Sequence, residues 1–156
     1  MYRLAAVGLA IFTTLSSIPF AAAEEQSETR TFALHQMVSP DAATVLSTIA
    51  GIRQLDVQDD HTLQATGGPA ALRIAAELLS ALDAPEIAPS QSFTTGDDTA
   101  IAVIPLSGIS PSDAMMALRE LSLQRVAALD RRSVIVVRDT PEQVTRALAT
   151  LGKAAS

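Results

Sequence analysis

The sequence predicts an α+β fold written twice: two tandem modules of order strand, helix, strand, strand, helix, each a three-stranded sheet with two helices on one face. Three observations predict it. Short apolar strands alternate with segments of helical period. Sliding the chain on itself by 72 residues keeps the apolar pattern in register without a gap, bringing Leu34 onto Leu106, Asp41-Ala42 onto Asp113-Ala114, Leu46 onto Leu118, Leu63 onto Ile135, Pro69 onto Pro141 and Leu79 onto Leu151. Prolines stand where helices should open, at Pro40, Pro69, Pro111 and Pro141.

Taken in order, residues 1–23 have the parts of a secretory signal: Arg3, the apolar run Leu4 to Leu15, a break at Ser16-Ser17-Ile18-Pro19, and Ala21-Ala22-Ala23 before Glu24. The run is shorter than the ~20 residues that span a bilayer, so export with cleavage after Ala23 is expected, the alternative being a retained anchor. With 0 cysteines in 156 residues, disulfides and a lipid-modified cysteine are excluded.

The first module is placed at 24–84. Phe32-Ala33-Leu34 reads as a strand, and Ser39-Pro40-Asp41 as a helix start with an N-cap hydroxyl, a tolerated proline and an acid favoured by the helix dipole. Ala42, Val45, Leu46 and Ile49 form one helical face, which Gly51 can stop in the left-handed region. Leu55 to Gln58 and Thr62 to Thr66 flank the polar turn Asp59-Asp60-His61. The closing helix starts at Pro69 and buries Leu72, Ala75, Leu79 and Leu82.

Residues 85–98 read as a linker, or as a hairpin formed by Phe93 to Thr95 and Thr99 to Val103 around Gly96-Asp97-Asp98. The second module, 99–156, opens with the strand Ile101 to Leu106 and a helix at Ser110-Pro111 whose inner face is Ala114, Ala117, Leu118 and Leu121. Arg125 to Leu129 and Ser133 to Arg138 flank Asp130-Arg131-Arg132. Val134-Ile135-Val136-Val137 is apolar on both faces, as suits a central strand covered above and below. Thr140 and Gln143 offer a capping box ahead of Val144, Ala147, Leu148 and Leu151.

The chain carries 17 acidic and 11 basic side chains, net −6, which argues against gripping phosphate backbones. The charge is uneven: Glu24 to Asp98 holds 12 acidic and 3 basic residues, Thr99 to Ser156 holds 5 and 7. Candidate chemistry is sparse. His35 and His61 lie in different elements with no second ligand at metal spacing, and Asp59-Asp60-His61 reads as a solvated turn ahead of a weak cation site. Gly67-Gly68-Pro69 opens a helix but lacks a phosphate-loop lysine. No serine sits in a G-x-S-x-G context, and Met115-Met116 reads as filler. No catalytic residue, metal or cofactor is expected.

The Thr66-Gly67-Gly68-Pro69 turn before the last helix of the first module, with Leu82-Asp83-Ala84-Pro85 closing it, resembles the small periplasmic N-domains of bacterial secretins. These belong to the ring-forming outer-membrane channels of secretion systems and type IV pili, and the resemblance here is to the short N1-type domain, in two tandem copies spanning roughly Thr31 to Leu151. The second copy departs from the motif, with Arg138-Asp139-Thr140-Pro141 at the turn and Leu151-Gly152-Lys153 at the end. The resemblance implies a periplasmic protein–protein interaction module without the family's channel-forming region. The element order is also similar to KH-type RNA-binding domains, but their basic G-x-x-G loop is missing, and nucleic acid is not expected as a partner.

The residues expected at a docking surface are Asp56, Asp59, Asp60, Glu77 and Asp83 on the acidic half, facing Arg119, Arg125, Arg131, Arg132 and Arg138 on the basic half of a neighbour. The plainer reading is that these charges keep an exported protein soluble. The alternative function is small-ligand or metal binding in the cleft between the modules. No stable membrane span is expected after cleavage.

Overall fold

In the computed structural model, residues 26–88 and 91–154 are described; the signal sequence and its cleavage site lie outside them. The fold is α+β, with two small sheets and four α-helices among the described residues. Strand β1 (Glu28–Ala33), helix α1 (Ser39–Val45), strands β2 (Gln54–Asp59) and β3 (Thr62–Gly67) and helix α2 (Pro69–Leu82) make the first half. Strands β4 (Gln91–Thr94) and β5 (Ala100–Pro105), helix α3 (Pro111–Leu118), strands β6 (Arg125–Leu129) and β7 (Val134–Asp139) and helix α4 (Pro141–Ala154) make the second.

The first sheet has the order β1-β3-β2, all antiparallel. Alternation along its strands puts Phe32, Leu55, Leu63 and Ala65 against the helices and leaves Thr29, Thr31, Gln54, Asp56, Gln64 and Thr66 on the polar outer face. The second sheet is β4-β5-β7-β6. It has a fourth strand beyond the three expected of the module, because part of the 85–98 join forms the hairpin that was its alternative reading: β4 pairs with β5 around Asp97, closed by the Thr95 amide donating to the Thr99 carbonyl at 2.9 Å.

Strand β7 is buried along its whole length, and its two faces belong to different clusters. Ile135 and Val137 pack with Ala102, Ala114, Val144, Ala147 and Leu151 under α3 and α4. Val134 and Val136, with Ile101, Val103, Ala127 and Leu129, join Val45, Ile49, Leu78 and Leu82 of the first half in one continuous cluster. The layers therefore run sheet, helices, sheet, helices, and the first pair of helices is covered on both sides. Helix α2 fits that position: besides the expected stripe Leu72, Ala75, Leu79 and Leu82 it buries a second, Ile74 and Leu78. The apolar face is thus broad, wide enough to meet two layers, and Arg73, Glu77 and Ser80 form the exposed stripe opposite it.

The helix starts differ in a physical detail. Ser110 caps α3 as expected, accepting from the Asp113 amide at 3.1 Å and donating to the Asp113 carboxylate at 2.8 Å. Ser39 does not cap α1. Val38 holds the N-cap position, and the Ser39 hydroxyl is buried while its amide donates to the Asp60 carbonyl at 2.8 Å. The Thr140 box is half made: the hydroxyl accepts from the Gln143 amide at 3.4 Å, but the Gln143 side chain donates across to the Leu121 carbonyl instead of back to residue 140.

After Val45 the first helix widens into one π-type turn, Leu46–Ala50, and stops at Gly51 with φ 74°. A β-carbon there would lie 3.2 Å from the Arg125 guanidinium. Gly51→Ala should therefore lower stability by about 1–2 kcal/mol in urea denaturation, from left-handed backbone strain plus that crowding; an unchanged midpoint would mean the turn relaxes freely.

Candidate interaction surface

Strand alternation decides where the second half's arginines go. Arg125 and Arg138 are opposite each other across β6 and β7, on the face that carries Ala127, Val136 and Ile101. That face meets the end of the first helix, whose last carbonyls have no partner within the helix. Arg138 is buried. Its guanidinium donates to the Ile49 carbonyl at 2.8 Å, to the Thr99 hydroxyl at 3.1 Å and to the Asp97 carboxylate at 2.8 Å. Arg125 donates to the same Ile49 carbonyl at 3.3 Å. Arg132, on the β6–β7 turn, donates to the carbonyls of Leu82 and Ala84 at the end of α2.

Three of the five arginines expected to face a neighbour are thus engaged inside their own chain, on the carbonyls that close the first half's helices. Arg125 nonetheless stays exposed, while Arg132 is half-buried and Arg138 buried. A cation is favoured at a helix C-terminus, and here the second half supplies it. Arg119 and Arg131 remain exposed.

The acids divide in the same way. Asp56, Asp59, Asp60 and Glu77 are exposed. Asp59 accepts from the His61 amide at 2.8 Å, and that bond is the main reason its carboxyl lies below the ordinary carboxylate range. The Asp83 side chain is only 12% exposed. It accepts from three consecutive backbone amides, His35 at 2.9 Å, Gln36 at 2.6 Å and Met37 at 2.8 Å, with the His35 ring at 3.3 Å. Burial pushes its pKa up, but the amides of Gln36, Met37 and His35 outweigh it and hold the group below the ordinary value. The aspartate of the Leu-Asp-Ala-Pro motif is a fastener for the β1–α1 loop.

Sequence reasoning did not single out Asp97 or Asp139. Asp97, at the tip of the β4–β5 hairpin, gathers Thr95, Thr99 and Arg138. The Thr95 hydroxyl, then that of Thr99, hold its carboxyl far below the ordinary range, with the Arg138 charge adding to them. Asp139 is buried and accepts from the Gln124 amide at 2.8 Å and the Thr140 amide at 2.6 Å. The signal available for Asp139 was its place at the end of an otherwise apolar buried strand.

Two concave regions lie beside these residues. A cleft of about 410 Å³ lies between the start of α2 and the β4–β5 hairpin, lined by Ala50, Pro69, Arg73, Ile74, Thr95 and Arg138. It is the inter-module cleft of the ligand-binding alternative, but the Arg138 guanidinium is already committed to Ile49, Thr99 and Asp97. A groove of about 380 Å³ runs beside α3, with Met115, Met116, Leu123 and Val126 among its walls and Arg119 on its rim. Among the described residues, no group of three or more His, Asp or Glu could hold a metal ion, and no helix is long and apolar enough to cross a membrane.

No protein-family model matches the sequence, and no curated protein matches it. The solved structures similar to the chain include secretin N-terminal regions. The N-terminal domain of the secretin XcpQ from Pseudomonas aeruginosa aligns with 84% of this chain and 63% of its own, at TM-score 0.37 and 14% identity. The ETEC pilotin–secretin AspS–GspD complex aligns with 85% of this chain and 25% of that chain, at TM-score 0.35 and 15% identity. Aeromonas hydrophila ExeD aligns with 85% and 29%, at TM-score 0.33 and 15% identity. The chain spans less than two thirds of the length of each.

Proposed function

We propose that the chain is a periplasmic, non-enzymatic protein–protein interaction module built from two secretin N-domain-like units, 24–84 and 99–156 joined through 85–98. It docks with copies of itself or with a secretion or type IV pilus assembly of the envelope. The observation that carries this reading is how the ionisable groups are used. Asp83, Arg132, Arg138 and Asp139 are withdrawn from solvent and bind backbone amides and carbonyls of their own chain. They hold a scaffold rigid and do not converge on a point where a substrate atom could react. What the scaffold presents outward is an acidic edge on the first sheet and an apolar groove beside α3 with Arg119 on its rim.

The export signal supports the compartment, and the Thr-Gly-Gly-Pro and Leu-Asp-Ala-Pro motifs support the family-like role. Chemical crosslinking in intact cells, read together with sedimentation of the purified chain at low and high salt, tests the reading. Crosslinked adducts of the chain in the periplasmic fraction are expected, with association in solution that weakens as salt rises if exposed charges make the contact. A chain that yields no adduct in cells and is monomeric at every concentration in low salt overturns it.

A further inference from the structure

Antiparallel pairing leaves every second residue of an edge strand with its backbone groups pointing away from the sheet. On β1 the pattern can be read from one bond. The Leu34 amide donates to the carbonyl of His61, directly opposite it, at 2.7 Å, and Phe32 and Arg30, opposite Leu63 and Ala65, share that side. The amides and carbonyls of Thr29, Thr31 and Ala33 therefore point to the open edge, where no strand pairs with β1 among the described residues. This edge is regular, in unbroken register with β3 from Glu28 to Ala33. The other edge of the sheet, β2, slips between Val57 and Asp59. Bulges and prolines are common ways of blunting an exposed edge, and β1 has neither.

The second half shows what such an edge accepts. The 72-residue shift that aligns the two halves of the sequence carries Glu28–Ala33 onto Ala100–Pro105, so β1 stands where β5 does. On β5 the edge is filled: β4 pairs there, with Phe93 opposite Ile101 and Gln91 opposite Val103, the counterparts of Thr29 and Thr31. Beside β1 a groove of about 320 Å³ opens between the end of the strand and α2, with Phe32, Leu34, Ala76, Leu79, Ser80 and Ala84 in its walls. It continues along α2 past Glu77 and Ala81. One face of an added strand would pass the mouth of this groove, whose alanine and serine walls leave room for small or branched apolar side chains. Charge selects the partner. Residues 26–88 hold 8 acidic and 3 basic side chains. At the edge itself Arg30 lies 3.7 Å from Glu28, Asp83 is bound to the loop amides, and Glu77 stands exposed on the groove wall. We propose that the β1 edge takes an extended, cationic segment of a partner protein as a fourth strand, with small apolar side chains toward the groove and a lysine or arginine near Glu77. This rests on the interaction reading above and names the contact and the kind of partner.

The probe is the synthetic heptapeptide Lys-Val-Thr-Val-Thr-Ala-Lys, beside a counterpart with glutamate for both lysines, each titrated to millimolar concentration into the isotope-labelled chain. The lysine peptide should bind saturably, shift the amide signals of Thr29, Thr31, Ala33 and Ala76 most, slow hydrogen exchange at Thr29 and Thr31, and lose affinity as salt rises. Strand pairing has its own signature. Of two lysine peptides, one N-methylated on alternate residues and the other on the intervening ones, one should fail to bind and the other bind as before. Thr31→Pro removes an outward amide and keeps those that meet β3, so circular dichroism should show a folded chain that binds the peptide about tenfold or more weakly. Thr31→Val should bind like the unaltered chain. Should the proline variant fail to fold, Glu77→Lys, a change at an exposed position, serves in its place: it should weaken binding of the lysine peptide and strengthen that of the glutamate peptide. The assignment is overturned by no saturable binding of the lysine peptide, by equal binding of the two methylated peptides, or by equal binding of the lysine and glutamate peptides. It is overturned as well if the unaltered chain self-associates and Thr31→Pro abolishes this, since the edge then holds a second copy. The interaction reading survives any of these results as long as crosslinking in cells yields an adduct.

Discussion

Replacing Val136 by aspartate is expected to unfold both halves of the chain together. Val136 is fully buried on β7, on the face that shares its cluster with Val45, Ile49, Leu78 and Leu82 of the first half. A carboxylate there has no partner, and burying an unpaired charge costs several kcal/mol, a large part of the ~5–15 kcal/mol that holds a domain folded. Val136→Ala should cost about 2 kcal/mol through lost contact and a small cavity. Both effects should register in the first half, because its helices lose the surface they rest on. Hydrogen exchange makes the distinction. In Val136→Ala the amides of β3 and α2 should lose protection by the same factor as those of β5 and β7. Were β3 and α2 to keep their protection, the two proposed units would fold independently in spite of the cluster they share.

That shared cluster was half legible in the sequence. Val134-Ile135-Val136-Val137 announced a strand covered on two faces, and the register of Asp and Pro at the helix starts gave the element order. What covered the second face was not legible, because a single-stripe reading of α2 stopped at Leu72, Ala75, Leu79 and Leu82. Ile74 and Leu78 carried the missing signal. With them the helix is apolar on two sides, and a helix of that kind needs two neighbours.

The contacts of the arginines were illegible for a related reason. Arg125 and Arg138 were expected to face a neighbour, yet both share a strand face with buried apolar residues, Ala127 in one case and Val136 in the other. Period two along a strand places a side chain more firmly than its charge does. On that face both arginines donate to the Ile49 carbonyl at the end of the first helix, a cap made within one molecule. Exposed charges such as Asp56 and Arg119 obey no such constraint, so the sequence could name them without saying what they meet.

Asp83→Ala should have the other large effect, a loss of about 3 kcal/mol at neutral pH. The contact was invisible in the sequence, since the aspartate sits 46 to 48 residues from the amides it binds. Those amides belong to a loop that must leave β1 and enter α1, and no sheet or helix supplies acceptors for them. A charge-assisted bond contributes ~1.5–3 kcal/mol, and removing the acceptor leaves the donors of a partly buried loop unpaired. Asp83→Asn keeps one carbonyl oxygen near the amides of Gln36 and Met37 and should lose about half as much. The same bonds set a pH dependence. Because the folded state holds this carboxyl below its ordinary value of 3.8, its contribution is complete above that value and fades as pH falls through the lower folded one. The stability gap between the unaltered chain and Asp83→Asn should therefore be widest near neutrality and narrow steadily below pH ~4. Urea midpoints measured from pH 7 down to pH 2.5 would show this convergence, and a gap that stayed constant across that range would mean that the loop is held by packing and not by the charge on Asp83.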